Sequence, residues 1–397
     1  MTILLCDIYE GREILPAESF HVPRYTLGVI AVRKGIAVYP GLSDSASENL
    51  RLVERAVNAG ITRLVLPLVL PYANIKQAAM EVSRLLRAAN RYNMDVIVAL
   101  TPEVLRILHL KHLSFRSLRI MGIRTLYVHK FSPKGIAELS RNNQHIRIQF
   151  NTAAVTEKNL EELLDNNPNI RQLEATFGVY PRQGTGLSEE NLLHKTALLH
   201  RAGISVCAFA SCEHHKTPPL YDGSPTLEAH RGVSADLACR HLAAIGVDSV
   251  FLSDCFPTVE ELNSLRILKS TEIAVKITPH TEDALQLWLL GRHFTARFDE
   301  ARDAVRALEG EANALKTGEN ILPENNTERK VGDVTIDNNV CPEFMGELQI
   351  IKRNSPPNPG INVAASVRKE EAFLIKYILP GRNFRFLFGI FFFGILL

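Results

Sequence analysis

The stretch GIAVYPGLSDSASENLRLVERAVNAGITRLVLPLVL, residues 35–70, reads as a strand, a helix and a second strand. GIAVYP (35–40) and TRLVLPLVL (62–70) are short β-branched runs bounded by turn residues. Between them, in SASENLRLVERAVNAG, Leu50, Val53 and Val57 share one helical face until Gly60 ends the run. Strands joined by helical crossovers lie parallel.

The same alternation recurs along the chain. Further strand candidates are DVIVALTP (95–102), TLYVH (125–129), IRIQFN (146–151), RQLEAT (171–176), SVCAFAS (205–211) and DSVFLSD (248–254), each followed by a helical pattern. Eight βα units in roughly 235 residues match the length and period of a (β/α)8 TIM barrel, whose active sites lie on loops at the strand C-termini. An open doubly wound sheet is the alternative. Beyond it, GEANALKTGENILPENNTE (310–328) is polar and reads as a linker. KVGDVTIDNN, GELQIIKR and NVAASV then read as short strands without comparable helices, a small β-rich domain. The expected division is an N-terminal extension over 1–34, the barrel over 35–309, the linker over 310–328 and the β-rich domain over 329–397. The closing run FLFGIFFFGILL (386–397) is too short for a membrane span and reads as a final strand.

Strand parity selects the barrel interior. In RQLEAT, Leu173 and Ala175 share the face that meets helices, so Glu174 and Thr176 point inward, near the functional end. In IRIQFN, Ile146, Ile148 and Phe150 face outward, which leaves Gln149 and Asn151 inside. Beside them runs the loop YPRQGTGLS (180–188). Tyr180 and Pro181 stiffen the turn, Gly184 and Gly186 let backbone N–H groups approach an anion, and Thr185 or Ser188 adds a hydroxyl. A helix starting near Ser188 favours negative charge at its N-terminus, and Arg182 supplies a planar fork. This loop is therefore expected to hold a phosphate; the bland alternative is a shaped turn with Arg182 on a surface acid. For the inward polar residues, the alternative is a structural network in which they satisfy one another.

SCEHHKTPPLYDGSPTLEAHR (211–231) is too long for an ordinary βα loop and reads as a lid, with Glu213, His214, His215, Lys216, Glu228, His230 and Arg231 available to a phosphate or sugar. His214 and His215 lack a third ligand at metal spacing, so no metal is expected. Asp254, at the end of strand eight, is either catalytic or the N-cap of the helix after CFPT.

Composition narrows the classes. A net charge of +2 over 397 residues leaves no electrostatic footprint for nucleic acid. The six cysteines, Cys6, Cys207, Cys212, Cys239, Cys255 and Cys341, form no CxxC pair, and MTILLCDIYEGREILP lacks a basic start, so a reducing cytoplasm is the expected compartment.

LEATFGVYPRQGTGLS, PLYDGSPTLEAHR, VFLSD, GRHFTARFDEARDAVRA, GDVTIDN, GELQI and YILPG, in unbroken order from about Gly35 to about Phe386, resemble the MupG family, the 6-phospho-N-acetylmuramidases. The resemblance implies a TIM barrel followed by a cyclophilin-like domain, and a glycosidase that cleaves N-acetylmuramic acid 6-phosphate from N-acetylglucosamine in bacterial cell-wall recycling. The matching positions include Asn151, Glu174, Tyr180, Pro181, Arg182, Thr185, Gly186, Pro219, Glu228, His230, Arg231 and Asp254. The chain departs from the family pattern at Phe177, Gly178 and Val179, where His-Asn-Phe is usual, and at Thr217 and Pro218 of the lid, where Arg-Gly is usual. It departs again at Ala99 and at His129, both positions where an acid is usual.

Glycoside hydrolysis needs two carboxyl groups across the scissile bond. Glu174 is the leading candidate, suited to an acid role if burial raises its pKa, with Asp254 or Glu228 as partner. Arg182, His230 and Arg231 are the candidate phosphate donors, and Gln149, Asn151, Tyr180, Thr185 and Gly186 complete the expected substrate site. No cofactor is expected. The expected partners are a small phosphorylated amino-sugar disaccharide and a further copy of the chain in a homo-oligomer; nucleic acid is excluded and membrane is disfavoured. A relative that binds sugar phosphate without hydrolysing it, or a barrel isomerase or epimerase, are the competing functions.

Overall fold

A computed structural model of the chain describes residues 31–42, 46–68, 75–269, 271–310 and 318–388. Eight parallel strands pair in sequence order: β1 (Arg33–Ala37), β2 (Arg63–Leu66), β3 (Asp95–Ala99), β4 (Ile123–Val128), β5 (Arg147–Asn151), β6 (Leu173–Thr176), β7 (Ser205–Ala210) and β8 (Ser249–Leu252). β8 returns to β1 with Phe251 opposite Gly35, so the sheet is a closed barrel and the open alternative falls. A Cβ on Gly35 would stand 2.1 Å from the Phe251 ring, so the strand needs glycine there for the ring to fill the barrel. β1 starts at Arg33, which brings Arg33 and Lys34 of the expected extension into the barrel.

Local sequence sets where the chain turns from strand to helix. Thr156 and Thr258 close capping boxes with Asn159 and Glu261, and Ser188 caps the helix Glu189–Arg201 through Asn191 N–H. The helix Ala235–Ile245 is buried on all sides, because its sequence is apolar except at Asp236, Arg240 and His241.

The second sheet orders its strands β10-β15-β9-β14-β12-β13-β11: β9 (Glu272–Pro279), β10 (His293–Thr295), β11 (Ala304–Arg306), β12 (Asp333–Asp337), β13 (Leu348–Ile351), β14 (Ile361–Val367) and β15 (Asn383–Phe388). Only β9 and β15 run parallel; the rest are antiparallel. This moves the division expected at residue 309. β9 to β11 belong to the second sheet because β9 hydrogen-bonds to β14 and β15, not to the barrel. Nor is the polar stretch an interdomain linker. In its described part, residues 310 and 318–328, Ile321 is buried and Glu324 accepts bonds from Thr281 and Gln286, within the second domain.

Helix 235–245 lies between the two domains. Arg240 forms a two-pronged bond to Glu371, at 2.7 and 2.5 Å, and Asp236 pairs with Lys276. Of the apolar closing run, Phe386, Leu387 and Phe388 complete β15 beside β9, and residues 389–397 lie outside the described residues. Among the described residues no helix is long and apolar enough to cross a membrane.

Candidate active site at the barrel mouth

The barrel interior is layered. Its middle holds Ile97, Cys207 and Phe251 with Val65, Tyr127 and Phe209 packed against them. On the strand N-terminal side lies a charged floor instead of the branched aliphatics usual in such barrels. There Glu174 accepts bonds from Arg33 (2.5 Å), from Arg63 (2.9 and 2.7 Å) and from Gln149 (2.8 Å). Arg63 also bonds Ser249 and pairs with Asp95, which Arg147 and Thr125 reach from the other side.

The expected parity of Glu174 and Gln149 holds, but their height does not. The partners Arg33, Arg63, Ser205 and Ser249 are each the first residue of their strand, so Glu174 sits at the floor and not at the mouth. Burial opposes its ionisation, yet the charges of Arg63 and Arg33 outweigh that and hold the carboxyl well below the usual range. The condition for an acid role, a carboxyl raised by burial, is not met. Glu174 and Gln149 thus belong to a hydrogen-bonded network at the floor. The signal for this floor was present in the sequence: Arg63 shares inward parity with Val65.

The mouth is built by the loops after β5 to β8. Asn151 caps the short turn after β5 and donates to the Tyr127 hydroxyl at 3.3 Å. The loop after β6 and the end of the lid are zipped together: Tyr180 N–H donates to Pro225, Leu187 N–H to Thr226, and Glu228 N–H back to Leu187. Buried Thr226 joins both, donating to the Gly178 carbonyl and accepting from Phe209 N–H. At the other end, Asp254 accepts from Ser211 Oγ (2.6 Å), Cys212 N–H (2.9 Å) and Thr217 N–H (3.0 Å). Asp254 therefore fastens the lid, and the N-cap of the next helix is Thr258.

Glu228 changes the reading of the glycine-rich loop. Its carboxylate accepts from Gly184 N–H at 2.9 Å and Gly186 N–H at 2.7 Å, so the two amides expected to cradle phosphate already hold a carboxylate of the chain. A Cβ on Gly186 would stand 2.6 Å from Glu228, which is why glycine is needed. Arg231 grips Glu228 at 2.6 and 2.9 Å and also donates to the carbonyls of Tyr180, Arg182, Asp222 and Gly223. Its hydrogen bonds and the two amides keep the Glu228 carboxyl low, at about 2. Arg231 is thus a clip between loops, not a free phosphate donor. Thr185 likewise donates its hydroxyl to the Arg182 carbonyl at 2.6 Å.

His230 is not a cationic donor either. It is buried against His241, at 2.9 Å, and burial drives its pKa down to about 3. Burial also raises the Tyr180 phenol above its ordinary value. By contrast, Arg182 is exposed, and among the described residues its guanidinium has no hydrogen-bond or ion-pair partner. The lid tip leaves Leu220 and Tyr221 exposed. His214 lies beside Glu261 and His215 faces the Phe256 carbonyl; among the described residues no cluster of three ligating side chains could hold a metal.

A closed barrel whose mouth is covered by two interlocked loops, with a mixed-sheet domain docked on its flank, defines a two-domain TIM-barrel protein. The chain belongs to the 6-phospho-N-acetylmuramidase family: the model of that family's N-terminal part matches residues 34–267 and that of its C-terminal part residues 271–387. The fold is shared by the crystal structure of an uncharacterized B. cereus protein, at 22% identity and a TM-score of 0.78, covering 90% of this chain and 99% of that one. It is shared also by a conserved Enterococcus faecalis protein of unknown function, at 23% identity and a TM-score of 0.65, covering 90% and 97%. No protein of curated description matches the chain.

Proposed function

We propose that the chain is a glycosidase that hydrolyses the bond between N-acetylmuramic acid 6-phosphate and N-acetylglucosamine, in cytoplasmic recycling of cell-wall fragments. The observation that carries this reading is the family match of both domains in order, over residues 34–267 and 271–387. The mouth offers a side chain of the right kind for phosphate. Arg182 is a planar, permanently charged fork on a loop stiffened by Glu228 and Arg231, and it has no competing partner among the described residues. In this reading phosphate is held by Arg182 at the rim and not by the glycine amides.

Of the three carboxylates singled out by sequence, Glu228 alone has substantial exposed surface, its side chain being 32% exposed. Arg231 keeps it ionised, so it is no proton donor, and a carboxyl held this low is also a weak base; nucleophile is the role left to it. A specific observation favours the second reading, a sugar-phosphate binder without turnover: Glu174, Asp254 and Glu228 all have their oxygens engaged by protein donors. Incubation with the phosphorylated disaccharide separates the two. Release of N-acetylglucosamine above background supports hydrolysis, whereas calorimetric binding without release promotes the binder.

A further inference from the structure

The second domain touches the barrel at a place that bears on both mouth loops. Tyr377 donates its hydroxyl proton to Glu189 at 2.6 Å, and Glu189 is the first residue of the helix that follows the loop 178–188. The same hydroxyl oxygen lies 3.0 Å from Nε2 of His241, and Nδ1 of His241 lies 2.9 Å from Nε2 of His230, at the end of the lid. Lys376, its neighbour, also binds Glu189.

Chemistry fixes the direction of this chain. An ionised carboxylate only accepts, so the single Tyr377 proton goes to Glu189 and the phenol oxygen must accept from His241 Nε2–H. A neutral His241 then presents a bare Nδ1, which accepts from His230 Nε2–H. That leaves His230 Nδ1 without a proton, in keeping with its being buried and, among the described residues, without a partner. Both rings are driven toward the neutral form by burial. The directed chain His230, His241, Tyr377, Glu189 therefore ties the end of the lid to the start of the helix after the glycine-rich loop, through one hydroxyl of the other domain.

We propose that Tyr377 is a positioning residue for the barrel mouth: the second domain uses it to hold the loops 178–188 and 223–231 in register with each other. Its hydroxyl bonds Glu189 and His241, at the roots of the two loops. The roots it holds flank the Glu228–Arg231 clip, since His230 lies between those two residues and Glu189 follows Ser188. Docking of the domain does not depend on it, because Arg240 bonds Glu371 and Arg382 donates to the Ala244 carbonyl elsewhere along the same helix.

The test is Tyr377→Phe in the full chain, read by amide hydrogen exchange. The ring stays and only the hydroxyl goes. Exchange at Gly184, Gly186 and residues 223–231 is expected to rise about tenfold, the scale of one lost hydrogen bond, while helix 235–245 stays protected. Unchanged exchange at those amides overturns the proposal. If helix 235–245 also loosens, Arg240→Met is measured beside it: the proposal requires the loop effect to be larger in Tyr377→Phe at equal loss of interface protection, and equality overturns it. Affinity for the phosphorylated disaccharide should fall about tenfold in parallel. That arm alone rests on the proposed function; a wild-type chain that ignores the disaccharide sinks that reading and leaves the exchange result to decide this one.

Discussion

Arg63 and Glu174 face each other across the barrel floor at 2.7 Å with side chains 1% and 0% exposed, a buried ion pair where a barrel usually packs aliphatics. Removing one partner of such a pair leaves an uncompensated buried charge. Glu174→Gln is therefore expected to cost about 3–5 kcal/mol of stability, because Arg63 and Arg33 lose their common anion. Urea unfolding measures it. A variant as stable as the wild type that loses only turnover would restore a catalytic role for Glu174.

The sequence disclosed this residue's direction but not its depth. Parity within RQLEAT needs only local alternation, whereas depth needs the register of β6 against β5 and β7, which pairs Glu174 with Gln149 and Ser205. The eight barrel strands were legible for the same local reason, each being a β-branched run between turn residues. The domain boundary was not. EIAVKITP of β9 carries the composition of another barrel strand, and the polar stretch that resembled a linker is a connection between β11 and β12. The mouth shows the same limit: Gly184 and Gly186 announced an anion, but that it is Glu228, more than forty residues on, depends on how two loops fold together.

Arg182 gives a ligand test. Arg182→Ala is expected to weaken binding of the phosphorylated disaccharide by about 1.5–3 kcal/mol, the scale of a hydrogen bond to a charged group, and to leave the unphosphorylated sugar nearly unchanged. Paired calorimetric titrations check it. Equal weakening of both ligands, or of neither, refutes the phosphate role.

Asp337 in the second domain gives a pH test. Burial, and then the charge of Glu347, push its carboxyl up to about 7, and its Oδ1 is buried without a partner among the described residues. A folded pKa above the unfolded one means the contribution to stability is present at acid pH and is lost as pH rises through about 7. Asp337→Asn should therefore raise stability by about 1–3 kcal/mol near pH 8 and change it little near pH 4. Melting curves of both proteins across that range report it, and parallel curves would rule the titration out.

Glu228 titrates with the opposite sign. Its folded carboxyl is held at about 2 by Arg231 and by the two glycine amides, so the clip is present above the unfolded carboxylate range and is lost as pH falls through about 2. Exchange at Gly184 and Gly186 should be slow and flat from neutral pH down to about pH 5, then rise with further acidification once intrinsic exchange is divided out. Glu228→Gln removes the anion. Its amide can accept from one glycine but turns an NH2 group toward the other, and Arg231 is left facing a neutral partner. The cost should be about 1–2 kcal/mol, at the low end for charged hydrogen bonds because solvent reaches the carboxylate. Exchange at both glycines should then be fast at neutral pH, and the acid transition should disappear. Slow exchange in Glu228→Gln would mean that the backbone bonds from Leu187 N–H to Thr226 and from Glu228 N–H to Leu187 hold the two loops together without the clip.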